Sequence, residues 1–292
     1  MRKIKELVIE RSLLSSALIT IAVTIGIVLV LAIEAFQFFS EVSIVNFLTD
    51  TQWTPLFVDK HYGILPLLSG TLLTSFIAIS VALPIGLSIS IYLSEYAPKS
   101  FRKTVKPLLE LLAAVPTVVY GFFALIVVTP ILQQIIPGLS GFNSLSAGFV
   151  MGIMIIPYIS SISEDAIHAV PNALREASFG MGATKLQTAF KVVVPAASSG
   201  IIVSIILAIS RAIGETMIVA VAAGQQPRLT LDPTVPVETI TAYIVQVSLG
   251  DVEHGSVEYR TIFAAGITLF AFTFLLNTLS YRIRKKYQER YE

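Results

Sequence analysis

Pro171-Asn-Ala-Leu-Arg175-Glu-Ala-Ser-Phe-Gly180-Met-Gly-Ala-Thr-Lys185-Leu-Gln-Thr-Ala-Phe190-Lys-Val-Val-Val-Pro195-Ala-Ala-Ser-Ser-Gly200 is a polar, amphipathic island between two long apolar segments. Glu176 reads as a residue near a helix start, where a carboxylate meets the positive end of the helix dipole. Gly182 can take a left-handed turn between two helices, and Pro195 marks where the chain turns back toward apolar sequence. Gly180 to Lys185 faintly resembles a phosphate-cradling loop. It lacks the Gly-Lys-Ser/Thr ending and no buried strand precedes it, so it reads as helix and turn.

The apolar surroundings set the class. Hydrophobic residues make up 54% of the 292-residue chain and charged residues only 13%, with a mean hydropathy of +0.79. A soluble protein carries about twice that charged fraction. The chain therefore reads as an all-α integral membrane protein. A net charge of +1 gives no global field for nucleic acid. There is no cysteine, and His61, His168 and His254 are too scattered to suggest a metal or cofactor site.

Outward from the island, six membrane spans are expected. Basic residues Arg2, Lys3, Lys5 and Arg11 occupy an N-terminal segment over 1–12, followed by a retained first helix over 13–35. That run is long enough to cross a bilayer and too long for a signal-peptide core. Residues 36–65 read as an outer loop whose Trp53, Pro55, Phe57 and Tyr62 suit a membrane interface. The five-helix remainder, 66–282, contains spans at about 66–96 (with a kink at Pro84-Ile-Gly86), 107–129, 144–163, 199–223 and 261–280. Gly148 and Gly152 form a small-xxx-small pair suited to close helix packing. The polar loop covers 164–198, an outer segment 224–260, and a basic tail 283–292. Within the outer segment, Val237 to Leu249 is amphipathic enough to lie along the surface or dip into it.

Charge decides the orientation. The N-terminus, a basic loop over 98–106, the 164–198 loop and the C-terminus hold sixteen of the twenty Lys and Arg residues; the opposite loops hold Lys60 and Arg228. The positive-inside rule places both termini and the 164–198 loop in the cytoplasm.

One span carries charge: Ile209-Ser-Arg211-Ala-Ile-Gly214-Glu215-Thr-Met217. Arg211 lies about 18 Å into the bilayer at ~1.5 Å per residue, and Glu215 follows one helical turn later. Each costs about 2.5–3.5 kcal/mol at a helix centre, so the pair should face protein or a watery cavity. Either it handles an anion on a transport path, Arg211 offering forked donors that suit oxyanions, or it is a structural ion pair.

Taken together, Glu176-Ala177, Gly182, Phe190 and Pro195 resemble the "EAA" loop of ABC-transporter importer permeases, with departures at Ser178, Val192, Val194 and Ser199. Arg211-Ala-Ile-Gly-Glu-Thr resembles the matching helix of phosphate importer permeases, where an Arg and a Glu are implicated in transport. Gln52-Trp-Thr-Pro55, Tyr62-Gly-Ile-Leu-Pro66, Gly70-Thr71 and Leu111 to Gly121 are similar to segments of PstC-type subunits. The resemblance covers about residues 45–280. It implies a type I ABC importer permease fold, no catalytic or cofactor site, and a loop that docks on a separate ATPase. The implied partners are a second homologous permease, a dimeric cytoplasmic ATPase and an external phosphate-binding protein, in a bacterial or archaeal plasma membrane. The alternatives are a permease for molybdate or sulfate, an ion-coupled secondary transporter using Arg211 and Glu215 as a relay, and a non-transporting scaffold.

Overall fold

Inside hydrocarbon every backbone N–H and C=O has to be satisfied within its own segment, so apolar runs of this length fold as helices. The structure, a computed structural model, describes residues 2–287. Five of its helices are long and apolar enough to cross a membrane, and a bent pair makes a sixth span.

The first helix, α1 (Arg2–Glu41), outruns the expected 13–35 at both ends. No breaker interrupts it before Ser43, and its far end is tied down by Arg260, which meets Glu41 at 2.9 Å and Glu34 at 3.7 Å. Its apolar residues, from Leu13 to Ile33, are mostly exposed, as fits a helix with lipid on most sides.

The expected outer loop over 36–65 is instead structured. A short α2 (Ile44–Thr49) leads to a tight pairing of Trp53 with Tyr62. Trp53 is buried rather than interfacial. It stacks edge-to-face on Phe47 and Tyr243, within a cluster that includes Phe38, Ile64, Leu67 and Ile262. Aromatic pairs of this geometry add to their area burial, so this segment forms a second small core.

Helix α3 (Leu65–Ile91) carries Pro84 inside it and ends in a π-helical turn, Tyr92–Tyr96. The basic stretch 98–106 is the start of an amphipathic helix, α4 (Lys99–Ala114). The third span therefore begins ten residues later than expected, as α5 (Thr117–Phe123), a π-helical stretch Ala124–Val128 and α6 (Thr129–Ile135). Pro116 supplies the reason: it disfavours helical backbone at the residue before it, and Val115 is extended, with ψ 131°.

The most buried span is α7 (Ser144–His168), packed chiefly on α3. Its Gly148 and Gly152 lie where a Cβ would come 2.7 Å from the Ile77 Cβ and 2.8 Å from the Ala78 carbonyl oxygen. The two helices approach this closely because those side chains are absent.

After α7 come α8 (Asn172–Gly180), α9 (Lys185–Thr188), a π-helical turn Ala189–Val193 and a short α10 (Val194–Ala196). The axis then bends by 72° into α11 (Ser198–Ile213). The fifth span is not the continuous helix expected over 199–223. It breaks at Gly214-Glu215-Thr216 and resumes as α12 (Met217–Ala222). Next, α13 (Ile240–Leu249) dips into the bundle, burying Thr241, Tyr243 and Val247. The chain ends in α14 (Val257–Tyr287), packed along α1. Of the expected basic tail, residues 288–292, with Arg290, lie outside the described residues.

Gly148→Leu should lower the thermal unfolding midpoint of the detergent-solubilised protein, because overpacking of a close contact costs about 1–3 kcal/mol. Gly26→Ala is the control. A Cβ there meets nothing within 4 Å, so its midpoint should not fall and, since Ala is the better helix former, should rise slightly.

Candidate functional site

Two constellations emerge, one inside the bundle and one on its basic end. Inside, Arg211 closes the last turn of α11 and its Nη1 meets Glu215 Oε2 at 2.9 Å. The pair forms across the helix break, not along one helical face. Glu215 is 2% exposed, whereas Arg211 keeps 33% of its side chain open. Its Nη2 faces the Met154 sulfur of α7 at 3.9 Å.

Glu215 does more than pair. Its Oε1 accepts the backbone N–H groups of Met217 and Ile218, at 3.1 and 3.3 Å, so the carboxylate caps the start of α12. Its own carbonyl accepts the Thr241 hydroxyl from α13 at 2.6 Å. Gly214, a poor helix former, sits where the first helix stops. The break and the cap explain each other: the freed N–H groups need an acceptor, and Glu215 is folded back to supply it.

On the basic end, Gly182 takes the left-handed turn, with φ +83°. Its N–H bonds the Phe179 carbonyl at 2.9 Å, and the Ala183 N–H bonds the Ser178 carbonyl at 3.1 Å. Thr184 and Gln187 form a reciprocal capping box at the start of α9. Glu176 lies in the middle of α8, not near its start, and is exposed together with Ala177. Phe190 is exposed on the following turn, and Pro195 stands just before the 72° bend. Around them Phe179, Met181 and Leu186 also face outward. An apolar patch that surrounds an exposed carboxylate is the composition of a protein contact.

What holds this loop was missed in the sequence. Arg175 lays its guanidinium across Glu95, with Nη2–Oε1 at 2.8 Å and Nε–Oε2 at 3.3 Å. The same side chain bonds the Ile167 and Val170 carbonyls at 2.9 and 2.5 Å. Lys185 sits over the Tyr96 ring, 4.8 Å from its centroid, and Ser178 bonds Thr188 at 2.8 Å. The loop is thereby fastened to the end of α3 and α7. A second tie is the buried Glu164 of α7, which pairs with Arg102 and with Lys106 at 2.9 Å. The available signal was a carboxylate at the edge of an apolar run, opposite a basic stretch. Among the described residues no group of His, Cys, Asp and Glu could hold a metal ion.

Residues 82–291 match the family described as "Binding-protein-dependent transport system inner membrane component". The chain belongs to this family. It is thus a multi-pass inner-membrane protein of the permease class. It is 36% identical to the "Probable ABC transporter permease protein YqgH" of Bacillus subtilis strain 168, over 89% of this chain and 84% of that one. With the "Phosphate transport system permease protein PstC" of Mesorhizobium japonicum it shares 35% identity, over 79% of this chain and 75% of that one. In fold it is similar to a chain of a bacterial alginate ABC transporter solved with its "alginate pentasaccharide-bound periplasmic protein". That match has a TM-score of 0.58 at 19% identity, over 87% of this chain and 88% of that one.

Glu215→Ala should destabilise the permease by about 3–5 kcal/mol, since it strands Arg211 and uncaps α12. Glu215→Gln keeps an acceptor for the two N–H groups and should lose clearly less. Thermal unfolding in detergent compares them, and equal losses would mean that the cap contributes nothing.

Proposed function

We propose that this permease is a PstC-like membrane subunit of an ATP-driven phosphate importer, forming half of the translocation path. The observation that carries this is Arg211, a guanidinium inside the bundle that is held by a buried carboxylate yet left one-third open. Forked, permanently charged donors suit tetrahedral oxyanions. The extensive identity to phosphate-transport permeases supports phosphate over molybdate or sulfate.

In this reading the other half of the path is a second, homologous permease. The exposed face of Glu176, Ala177, Gly182, Phe190 and Pro195 docks on a dimeric ATPase in the cytoplasm, and an external phosphate-binding protein delivers the anion. The charge asymmetry of the loops supports cytoplasmic termini and a cytoplasmic coupling loop. Closure of the ATPase dimer draws the paired loops together. Because Arg175 fastens α8 to Glu95 and to the end of α7, that motion reaches the spans as rigid-body displacement. Glu215 positions Arg211 and keeps its charge compensated while the site is empty.

The geometry also chooses the variant. An exchange of Arg211 and Glu215 would put a guanidinium where backbone N–H groups need an acceptor, so it tests the cap rather than the anion. Arg211→Lys is cleaner, because it keeps a positive charge beside Glu215 and removes the fork. It should assemble with its partners and retain thermal stability, yet take up phosphate at least tenfold more slowly in proteoliposomes. Normal phosphate uptake would make the pair structural. Sulfate or molybdate as the preferred cargo would reassign the substrate, and uptake driven by an ion gradient without ATP would point to a secondary transporter.

Gly182→Val forces a branched side chain into a left-handed backbone, at about 1–3 kcal/mol. With Glu176→Lys, it should leave insertion intact but reduce co-purified ATPase. A single cysteine at position 176 should react with an impermeant thiol reagent only after permeabilisation. Full ATPase recovery in both variants, or labelling in intact cells, would refute the docking face.

A further inference from the structure

The end of the bundle opposite the 171–200 loop holds a carboxylate that the transport path does not use. Glu238 sits near the end of the segment between α12 and α13, and its neighbours pin the backbone. The Val237 N–H bonds the Ala223 carbonyl at 3.0 Å, and the Ile240 N–H bonds the Thr71 hydroxyl of α3 at 3.1 Å. The side chain is 2% exposed, and among the described residues its Oε1 has no hydrogen-bond partner. Burial pushes its carboxyl up to about 8. Near neutral pH burial therefore holds it mostly as the neutral acid, and an incoming cation would favour the ionised form and displace the proton.

Glu238 lines a cavity of about 160 Å³ with Trp53, Phe57, Tyr243, Gln226 and Gln246. That is well below the ~300–1,000 Å³ of a small-molecule site, and it holds about five waters at ~30 Å³ each. One side-chain head group fits such a space. Trp53 and Tyr243 pack edge-to-face at 5.0 Å, and aromatic walls favour a cation. Neither of the chain's own cations nearby in sequence bonds Glu238: Lys60 pairs with Glu258, and Arg228 donates to Oε1 of the lining residue Gln226 at 2.8 Å.

The surroundings point to a protein as the source of the cation. Leu56 and Phe57 line the cavity and are exposed, and exposed apolar residues at the mouth of a socket mark a contact surface. The segments 36–65 and 224–260 together carry eight Asp and Glu against three Lys and Arg. An acidic, apolar-rimmed face is complementary to a basic one.

We infer that this socket receives a Lys or Arg side chain of the external binding protein when that protein docks, with Glu238 as its counter-charge. The inference rests on the import reading above, which supplies the docking partner.

The complete transporter, reconstituted in lipid nanodiscs, should be titrated with its purified, phosphate-loaded external binding protein. Glu238→Gln preserves size and should weaken docking at least tenfold. On the binding protein, one Lys or Arg substituted by Ala should weaken docking to a similar extent, and the two changes together should cost little more than either alone. Phe57→Ala, at the exposed mouth, is a second variant that does not disturb the core, and it should weaken docking at least threefold. Wild-type affinity in both permease variants would overturn the socket, as would a loss in Glu238→Gln that couples to no basic residue of the partner. If the wild-type transporter itself docks no binding protein, the import reading falls and the socket with it. Equal docking of wild type and variants removes the socket alone.

Discussion

The bundle depends on a single carboxylate placed where carboxylates are expensive. Glu215 is almost wholly buried, and each of its oxygens is used: one meets the Arg211 guanidinium, the other the first free N–H groups of α12. Its backbone carbonyl takes the Thr241 hydroxyl, which anchors α13. Removing the helix break would leave the carboxylate with only the arginine to satisfy it. Removing the carboxylate would leave two N–H groups and a cation without partners in a poorly hydrated place. The break and the charge pair therefore stabilise each other, and α11, α12 and α13 meet at this point. Arg211 can stay partly open because Glu215 pays its electrostatic cost from the buried side.

A similar economy holds at the basic end. Arg175 has few degrees of freedom left after bonding Glu95 and two carbonyls, so α8 cannot rock independently of α3 and α7. A loop meant only to connect two spans gains nothing from such fastening, since loop closure itself costs little with length. The tie fits the docking proposed for this surface. Phe179, Met181, Leu186 and Phe190 remain exposed on this loop.

The sequence made the apolar runs legible because hydrocarbon leaves the backbone few options, and the left-handed turn at Gly182 followed from residue type alone. Gly148 and Gly152 were likewise readable from their spacing. What failed were breaks and ties. Pro116 moved the start of the third span, an effect that the apolar run from Leu111 to Val115 concealed. Gly214 ended α11, where hydropathy saw one continuous segment. Trp53 looked interfacial because outer aromatics usually are, and only tertiary packing against Tyr243 shows that it is core. Arg175 was counted as a topology signal and not as a clamp, since its partner Glu95 lies 80 residues away. Spacing arguments reach one turn of helix; contacts between elements lie beyond them.

The two ends of the bundle treat charge in opposite ways, and the difference has a structural cause. At the basic end cations outnumber carboxylates, and three of the carboxylates there, Glu95, Glu164 and Asp165, are drawn into pairs with Arg175, Arg102 and Lys106. Other cations there, such as Lys99 and Lys103, stay exposed at the surface. At the other end carboxylates outnumber cations, so pairing runs out on the acidic side. Lys60 and Arg260 are consumed by Glu258, Glu34 and Glu41, and Arg228 by an amide. Under that shortage a carboxylate that is also buried has no internal partner left. Glu238 is left in that position, its charge neutralised by a proton rather than by a cation of this chain.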